Sequence, residues 1–150
     1  MGRVAFCAPV EEKIMKQMPK IEKYMTPMPH TIQIYTPIEI AVDTMREYRI
    51  RHLPVHDDGK LVGILTDRDI KLAVSLDSTA DFRVEDVMTP DPYTVTPQTP
   101  LDHVVFEMAE HKYGCAVVRQ GNGKVVGIFT ATDALRVLGE TLIGNYKEAS

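Results

Sequence analysis

A short phrase occurs twice in this chain and restricts the folds that the chain can adopt. Residues 63–70 read GILTDRDI and residues 127–134 read GIFTATDA, with Gly, Thr and Asp in the same places. Aligning residues 25–58 with 88–121, and 59–70 with 123–134, gives 18 identities in 46 pairs. Typical amino-acid frequencies would give roughly three such identities by chance. The chain is therefore a tandem duplication.

Each copy begins with extended chain punctuated by prolines and then predicts a helix. The stretch after Met-Thr-Pro predicts a short strand near residues 31–32 and 94–95. Thr36 and Thr99 are predicted N-caps, each followed by a proline at the first helical position. Apolar residues with the spacing of one buried helical face follow: Ile38, Ala41, Val42 and Met45, then Leu101, Val104, Val105 and Met108.

Two further strands and a second helix complete each copy. LPVH and KLVGIL, and later CAVV and KVVGIF, are separated by glycine-containing turns, which predicts two hairpins. The second helix is expected to begin at Thr66 or Thr130. One unit alone cannot bury both its sheet and its helices, so we expect the two to pack face to face. The predicted fold class is α/β (α+β-like), with two pseudo-symmetric β-α-β-β-α repeats packed sheet to sheet and an N-terminal helical extension.

The repeats divide the chain into five parts. We place a partly helical extension at 1–24, the repeats at 25–75 and 88–139, a connector at 76–87, and a helix end and tail at 140–150. Val84 and Val87 of the connector, with the adjoining Met88, are expected to dock back. Two flanking stripes have helical spacing: Ile14, Met18, Ile21 and Met25, which Pro19 breaks into two short helices, and Leu135, Leu138, Leu142 and Tyr146. They predict packing or dimerisation helices, and a place in the core is the favoured interpretation.

Composition excludes several classes of protein. An apolar fraction of 44% and a charged fraction of 25% are typical of a soluble globular chain. A net charge of −4 without a long run of like charges argues against a nucleic-acid surface, although not against a local basic pocket. Cys7 and Cys115 form no CxxC pair, so a disulfide framework is not expected. No apolar stretch could span a bilayer and no signal peptide is evident, so we expect a cytoplasmic protein.

The repeated phrase places a hydroxyl and a carboxylate at the start of a helix. Free backbone N–H groups at such a helix end favour an anion, and the Thr66 hydroxyl lies there. Asp69 can accept two hydrogen bonds, such as those of a ribose diol, and Arg68 can reach a phosphate. However, Thr-x-x-Asp is also a capping box, which requires no ligand. The residues alone leave both interpretations open.

Taken together, the doubled motifs resemble a tandem pair of cystathionine-β-synthase (CBS) domains over residues 25–139. The shared features are Met-Thr-Pro, a later Thr-Pro, a hydrophobic-Pro-Val strand and the Gly-x-x-Thr-x-x-Asp phrase. The resemblance implies a flat two-repeat disc, a Bateman module, which binds adenosine compounds between its repeats and often dimerises through its helices. It implies AMP, ADP or ATP as ligand, a regulatory role without catalytic cofactor, a homodimer and an unidentified regulated protein. S-adenosylmethionine or NAD is the alternative ligand, and a ligand-free protein-interaction module is the alternative function.

The resemblance also implies two pseudo-symmetric nucleotide sites. In the first, Asp69 would hold the ribose, while Thr66, Arg68, Arg51 and His52 would surround the phosphate. The base would lie near Thr94, Val95, Gly114, Cys115 and Ala116. In the second site, Thr130 and Asp133 take the corresponding parts, with Thr31, Ile32, Arg51, His52 and Leu53 around the base. Because Gly114, Cys115 and Thr132 replace Arg51, His52 and Arg68, the Asp69 site is expected to bind phosphate better.

Catalytic and metal sites are not expected. The chain has no nucleophile elbow, P-loop or HExxH motif. His52, His56 and Asp57 are close in sequence, but no further soft ligand follows at a useful spacing. Cys115 is interpreted as a small buried residue, not as a nucleophile.

Overall fold

The computed structural model describes residues 16–147. The strands are β1 (Thr26–Pro27), β2 (Ile32–Gln33), β3 (His52–Asp57), β4 (Lys60–Thr66), β5 (Thr89–Pro90), β6 (Thr94–Val95), β7 (Cys115–Arg119) and β8 (Val125–Thr130). The α-helices are α1 (Ile38–Tyr48), α2 (Asp67–Leu76), α3 (Val84–Val87), α4 (Leu101–His111) and α5 (Ala131–Asn145), and Ile21–Lys23 forms a 3-10 helix. None of these helices has the length and apolar character needed to cross a membrane.

The strands form two four-stranded sheets of the same design. Their orders are β2-β3-β4-β5 and β1-β8-β7-β6. A hairpin lies at the centre of each sheet, and a parallel strand from the same repeat, β2 or β6, lines one edge. The predicted hairpins and the predicted short strands are confirmed.

The opposite edge of each sheet is supplied by the other repeat. Strand β1 pairs with β8 of the second repeat, and β5 pairs with β4 of the first. At Gly63 an added Cβ would lie 2.7 Å from the Met88 sulfur and 2.9 Å from the Thr89 carbonyl oxygen. At Gly127 the corresponding atom would collide with the Met25 side chain. The leading glycine of each repeated phrase therefore makes room for the Met-Thr-Pro segment of the other copy.

Apolar residues form one core beneath the helices of each repeat and a third between the sheets. The third contains Ile64, Cys115, Val117 and Ile128, so face-to-face packing of the repeats is confirmed. The predicted helix stripes lie in the first two cores, where Ala41 and Val104 are fully buried. The connector docks as predicted, because Val84 is fully buried and Val87 and Met88 pack against the first core.

The predicted starts of α1 and α4 are wrong by one residue. Pro37 and Pro100 have extended backbones, with ψ of 144° and 139°, and act as N-caps without a side-chain bond. The preceding threonines are held by neighbouring chain: the Val84 N–H donates to the Thr36 carbonyl at 2.9 Å, and the Ile21 N–H donates to the Thr99 carbonyl at 2.8 Å. Each helix therefore begins after its proline.

The flanking stripes differ from the favoured core interpretation. Leu135, Leu138, Leu142 and Tyr146 are between 47% and 70% exposed, because α5 turns Ala134 and Val137 towards the core instead. A core role for this stripe is therefore wrong within the described chain. In the N-terminal stripe, Ile21 is fully buried in the second repeat and Met18 is exposed, whereas Ile14 lies outside the described residues.

Candidate functional site

The two copies of the repeated phrase end at equivalent places in the fold. Thr66 pairs with His52 at one end of the first hairpin, and Thr130 pairs with Cys115 in the second. The chain then turns into α2 or α5, where the Asp67 N–H donates to the Arg51 carbonyl at 3.0 Å. The structure thus brings Thr66, Asp69, Arg51 and His52 together at one end of the first hairpin.

At the first phrase, the carboxylate of Asp69 is left almost unused by the protein. The Asp69 N–H donates to the Thr66 hydroxyl oxygen at 3.0 Å, so Thr66 caps α2. The Asp69 carboxylate accepts no hydrogen bond from the Thr66 N–H or hydroxyl in return. Within residues 16–147 its one side-chain contact is with the Thr89 hydroxyl, at 3.5 Å. Both carboxylate oxygens therefore keep capacity to accept hydrogen bonds from a ligand.

At the second phrase, the equivalent carboxylate is fully engaged. Asp133 Oδ2 accepts from the Thr130 N–H at 2.9 Å and from its hydroxyl at 3.0 Å, which completes a capping box. The other oxygen, Oδ1, accepts from Arg136 Nη1 at 3.1 Å. The side chain is only 14% exposed. A ligand at this end would have to compete with these three bonds.

The charged groups near the phrases also differ. Arg51 and Arg68 are exposed, and neither has a carboxylate within 4 Å among the residues that the structure describes. The equivalent positions in the second copy are Gly114 and Thr132. Arg136, the nearby cation of the second copy, is paired with Asp133. The region around Thr66 and Asp69 therefore has two guanidinium groups that are available to bind an anion.

His52 lies between the Thr66–Asp69 region of the first repeat and the Thr130–Asp133 region of the second. Its Nε2 atom is 3.1 Å from the position that a Cβ on Gly114 would occupy. Burial and the neighbouring Arg51 lower the pKa of His52, although Asp133 and Asp69 oppose this shift. Burial therefore favours the neutral imidazole. The sequence grouped His52 with Arg51 and Arg68 around the phosphate, and the lowered pKa makes the two arginines the main charged groups there.

The residues predicted around the base are only partly accessible. Of the residues predicted around the base of the Asp69 site, Thr94 and Val95 are half-buried on β6 and line a hollow with Arg119 near the second hairpin turn. Gly114 is exposed and Cys115 is 7% exposed, and both lie at the other end of β7. On the Asp133 side, Thr31 is exposed and Ile32 is buried. Leu53 and Ala116 have no exposed surface, so in this conformation they support the walls from behind without offering a surface to a ligand.

The Cys115 thiol and the potential metal ligands add no further candidate site among the described residues. Desolvation raises the pKa of Cys115 to about 12, so its thiol is protonated and weakly nucleophilic. This supports its interpretation as a buried core residue. In the described part of the chain, no group of three or more His, Cys, Asp or Glu residues is arranged to hold a metal ion.

An aromatic pair beside the predicted base pocket was not identified from the sequence. The ring of Tyr93, which precedes Thr94, stacks on Tyr113 with 5.0 Å between ring centroids. The first repeat has a related stack, His30 on Tyr48 at 3.8 Å, in which His30 aligns with Tyr93 and Tyr48 aligns with His111, the next ring beside Tyr113. Aligning the two copies places His30 opposite Tyr93, which was the available signal.

Comparison with known protein families identifies two adjacent domains in this chain. The profile of the CBS domain matches residues 21–76 and 84–140. An L-aspartate semialdehyde sulfurtransferase of Methanocaldococcus jannaschii is 31% identical over 139 residues, which cover 91% of this chain and 27% of that protein. The chain spans about a quarter of the length of this relative and of an inosine-5'-monophosphate dehydrogenase of Korarchaeum cryptofilum, which is 33% identical over 126 residues.

Two solved structures with ligands have a similar fold. The complex of CBSX2 with AMP has a TM-score of 0.73 and 26% identity, and the match covers 81% of this chain and 97% of that one. The CBS domain pair of protein MJ0100, in complex with 5'-methylthioadenosine and S-adenosyl-L-methionine, has a TM-score of 0.74 and 28% identity. That match covers 83% of this chain and 99% of the other.

Proposed function

This chain belongs to the CBS domain family, and from that premise we propose that it is a regulatory module that binds an adenine nucleotide. The proposed site is the space between the repeats beside Thr66, Asp69, Arg51 and Arg68, and we call it the Asp69 cleft. The observation that carries the proposal is the free carboxylate of Asp69, which contrasts with the engaged carboxylate of Asp133. A ribose diol is a suitable partner because it donates two hydrogen bonds to neighbouring acceptors. The complex of CBSX2 with AMP supports this ligand class.

The charge at the first end favours a phosphate-bearing ligand. Arg51 and Arg68 have no carboxylate partners within the described residues, so both guanidinium groups are available to a phosphate. We therefore propose AMP, ADP or ATP, in preference to S-adenosylmethionine or NAD. Adenosine compounds without phosphate are the alternative, and the MJ0100 complex with S-adenosyl-L-methionine and 5'-methylthioadenosine supports that alternative.

The proposed role is regulatory and not catalytic. The candidate site contains acceptors and cations suited to hold a ligand, whereas the buried Cys115 thiol is protonated. A ligand held between the repeats would favour one arrangement of repeats or subunits, by no more than its difference in affinity for the two. The regulated protein is unidentified, and a cytoplasmic location is part of the proposal.

A homodimer is also proposed, because apolar side chains are exposed along α2 and α5. Leu72 and Leu76 on α2 are 60% and 80% exposed, and Leu135 and Ile143 on α5 are 67% and 76% exposed. Exposed apolar surface of this kind marks an interaction site. Light scattering on the purified chain should give a dimer mass, and Leu138→Glu with Leu142→Glu should give a monomer. A monomeric wild-type chain would contradict this assignment.

Thermal unfolding with a panel of ligands tests the nucleotide proposal. AMP, ADP, ATP, adenosine, S-adenosylmethionine and NAD would each be added at millimolar concentration to ligand-free protein. A ligand at about one hundred times its Kd adds about 2.7 kcal/mol, or roughly 5–10 °C for this chain length. We expect a shift with at least one phosphate-bearing nucleotide and a smaller shift with adenosine. A folded protein that responds to none of them would favour the interaction-module alternative.

A further inference from the structure

An open hollow of about 390 Å³ lies between the turns of the two central hairpins. Residues 59–61 line it from the first repeat, and Arg119 with residues 122–124 line it from the second. In the first sheet, Lys60 pairs with Asp57 and Thr66 pairs with His52, so the hollow and the Asp69 cleft lie at opposite ends of β4. Seven residues of strand separate these ends by about 20 Å. The hollow is therefore distinct from the proposed nucleotide site.

Three cationic side chains converge on this hollow. They are Lys60 from one repeat and Arg119 and Lys124 from the other, and no carboxylate is among the lining residues. Within residues 16–147, none of the three forms an ion pair with an Asp or Glu. Asp57 and Asp58 precede Lys60 in its hairpin but do not line the hollow. Like charges that face one space repel one another, and a bound anion would relieve that repulsion.

The remaining lining groups leave room for a small polar ligand. Gly59 and Gly123 have positive φ, and nothing lies within 4 Å of the position of an added Cβ at either residue. The Asn122 side-chain oxygen accepts from the Lys124 N–H at 3.0 Å, which leaves its NH₂ group to donate. No aromatic ring lines the hollow, so it has no surface on which a nucleobase could stack.

We propose that this hollow is a second ligand site, which binds a small multivalent phosphate oxyanion between the two repeats. Arg119 can form a bidentate contact with phosphate oxygens, while Lys60 and Lys124 supply point charges from either side. The cationic groups come from both repeats, so the complete site exists only when the two hairpins are adjacent. The inference does not depend on the proposed nucleotide function, because it rests on Lys60, Arg119 and Lys124, whereas the nucleotide proposal rests on Asp69 and the two arginines at the other end of β4.

Calorimetric titration with inorganic pyrophosphate tests the site. The variant Arg51→Gln with Arg68→Gln removes the free cations of the Asp69 cleft and so isolates the hairpin end. We expect this double variant to bind one pyrophosphate per chain. Adding Lys60→Gln and Arg119→Gln should weaken that binding at least tenfold. The amide resonances of Gly59 and Gly123 should shift with pyrophosphate only while Lys60 and Arg119 are present.

Several outcomes would overturn the inference. The inference would be wrong if the Arg51→Gln and Arg68→Gln variant did not bind pyrophosphate. It would also be wrong if adding Lys60→Gln and Arg119→Gln to that variant left its pyrophosphate affinity unchanged. A glutamate-rich peptide that binds the hairpins more tightly than pyrophosphate would replace the small anion by a protein partner. Circular dichroism of each variant establishes that it is folded. Parallel titrations of AMP into the wild-type chain and into Asp69→Ala report on the Asp69 cleft, because only binding there is lost with that carboxylate, so failure of one site is distinguishable from failure of the other.

Discussion

Two copies of one phrase have taken different roles in this molecule. In the second copy, Asp133 returns the hydrogen bond of Thr130 and also binds Arg136. In the first copy, Asp69 receives a bond from neither equivalent group, and Leu72 stands where the second copy has Arg136. The same Thr-x-x-Asp spacing therefore yields a closed helix cap in one repeat and an open acceptor in the other. The neighbouring side chains decide which role the motif has.

The largest difference between the two ends is expected in phosphate recognition. Replacing Arg51 and Arg68 together by Gln should weaken AMP binding about tenfold to a hundredfold, since charge-assisted contacts contribute about 1.5 kcal/mol or more each and exposure limits the gain. Adenosine affinity should change little. Arg136→Gln is the matched control in the second copy and should leave AMP affinity nearly unchanged. Equal losses of AMP and adenosine affinity would show that the arginines do not recognise phosphate.

The leading glycines should differ in their cost of substitution. Gly63→Ala should lower the free energy of unfolding by about 1–3 kcal/mol, because its Cβ would press on the backbone carbonyl of Thr89. Gly127→Ala should cost less, because the Met25 side chain that it meets can rotate away. Urea unfolding of both variants measures the difference. A greater loss at Gly127 would contradict the expectation that the Met25 side chain can rotate away.

Removing the Asp133 carboxylate should lower the free energy of unfolding more than removing the Asp69 carboxylate, which is the opposite of the order expected for nucleotide affinity. Asp133→Ala removes a capping box and an ion pair, so we expect a loss of about 1 kcal/mol in the free energy of unfolding. Asp69→Ala removes only a 3.5 Å contact with Thr89 and should cost a few tenths of a kcal/mol or less. Urea unfolding without nucleotide provides the comparison. Equal losses would mean that both carboxylates act as caps in solution.

The smallest effect on the free energy of unfolding is expected from His52, which lies between the Asp69 and Asp133 regions. Its pKa is lowered in the folded protein, so the unfolded chain binds a proton more readily. The free energy of unfolding should therefore fall as the pH decreases from the ordinary histidine pKa of 6.5 through the lower folded value. His52→Gln should reduce this slope, and urea unfolding of both proteins at several pH values measures the change. An unaltered slope in His52→Gln would assign the pH dependence to other groups.

The sequence predicted the parts of this molecule that depend on local pattern and repetition. Helical spacing identified the buried faces of α1 and α4, and glycine-containing turns identified the hairpins. The comparison of Arg51 and Arg68 with Gly114 and Thr132 also required only the alignment of the two copies. These features are recorded in the order of residues along the chain, so they do not need three-dimensional information.

Other features depend on contacts between distant residues and could not be read from pattern. The exchange of β1 and β5 between sheets joins Met25 with Gly127 and Met88 with Gly63, which lie far apart in the sequence or in separate repeats. The lowered pKa of His52 follows mainly from its burial, which the spacing of residues in the sequence does not reveal. The choice between cap and open acceptor depends on side-chain direction at Asp69 and Asp133, which the shared motif leaves undecided.

The most direct test of this account is calorimetric titration of AMP into the wild-type chain, Asp69→Ala and Asp133→Ala. Both variants would first be shown to be folded at the chosen temperature. We predict that Asp69→Ala weakens AMP binding about thirtyfold or more, because a carboxylate that accepts ribose hydrogen bonds contributes about 2 kcal/mol or more, while Asp133→Ala changes it by less than about threefold. Equal losses in the two variants, or a greater loss in Asp133→Ala, would contradict the assignment of one open and one capped end.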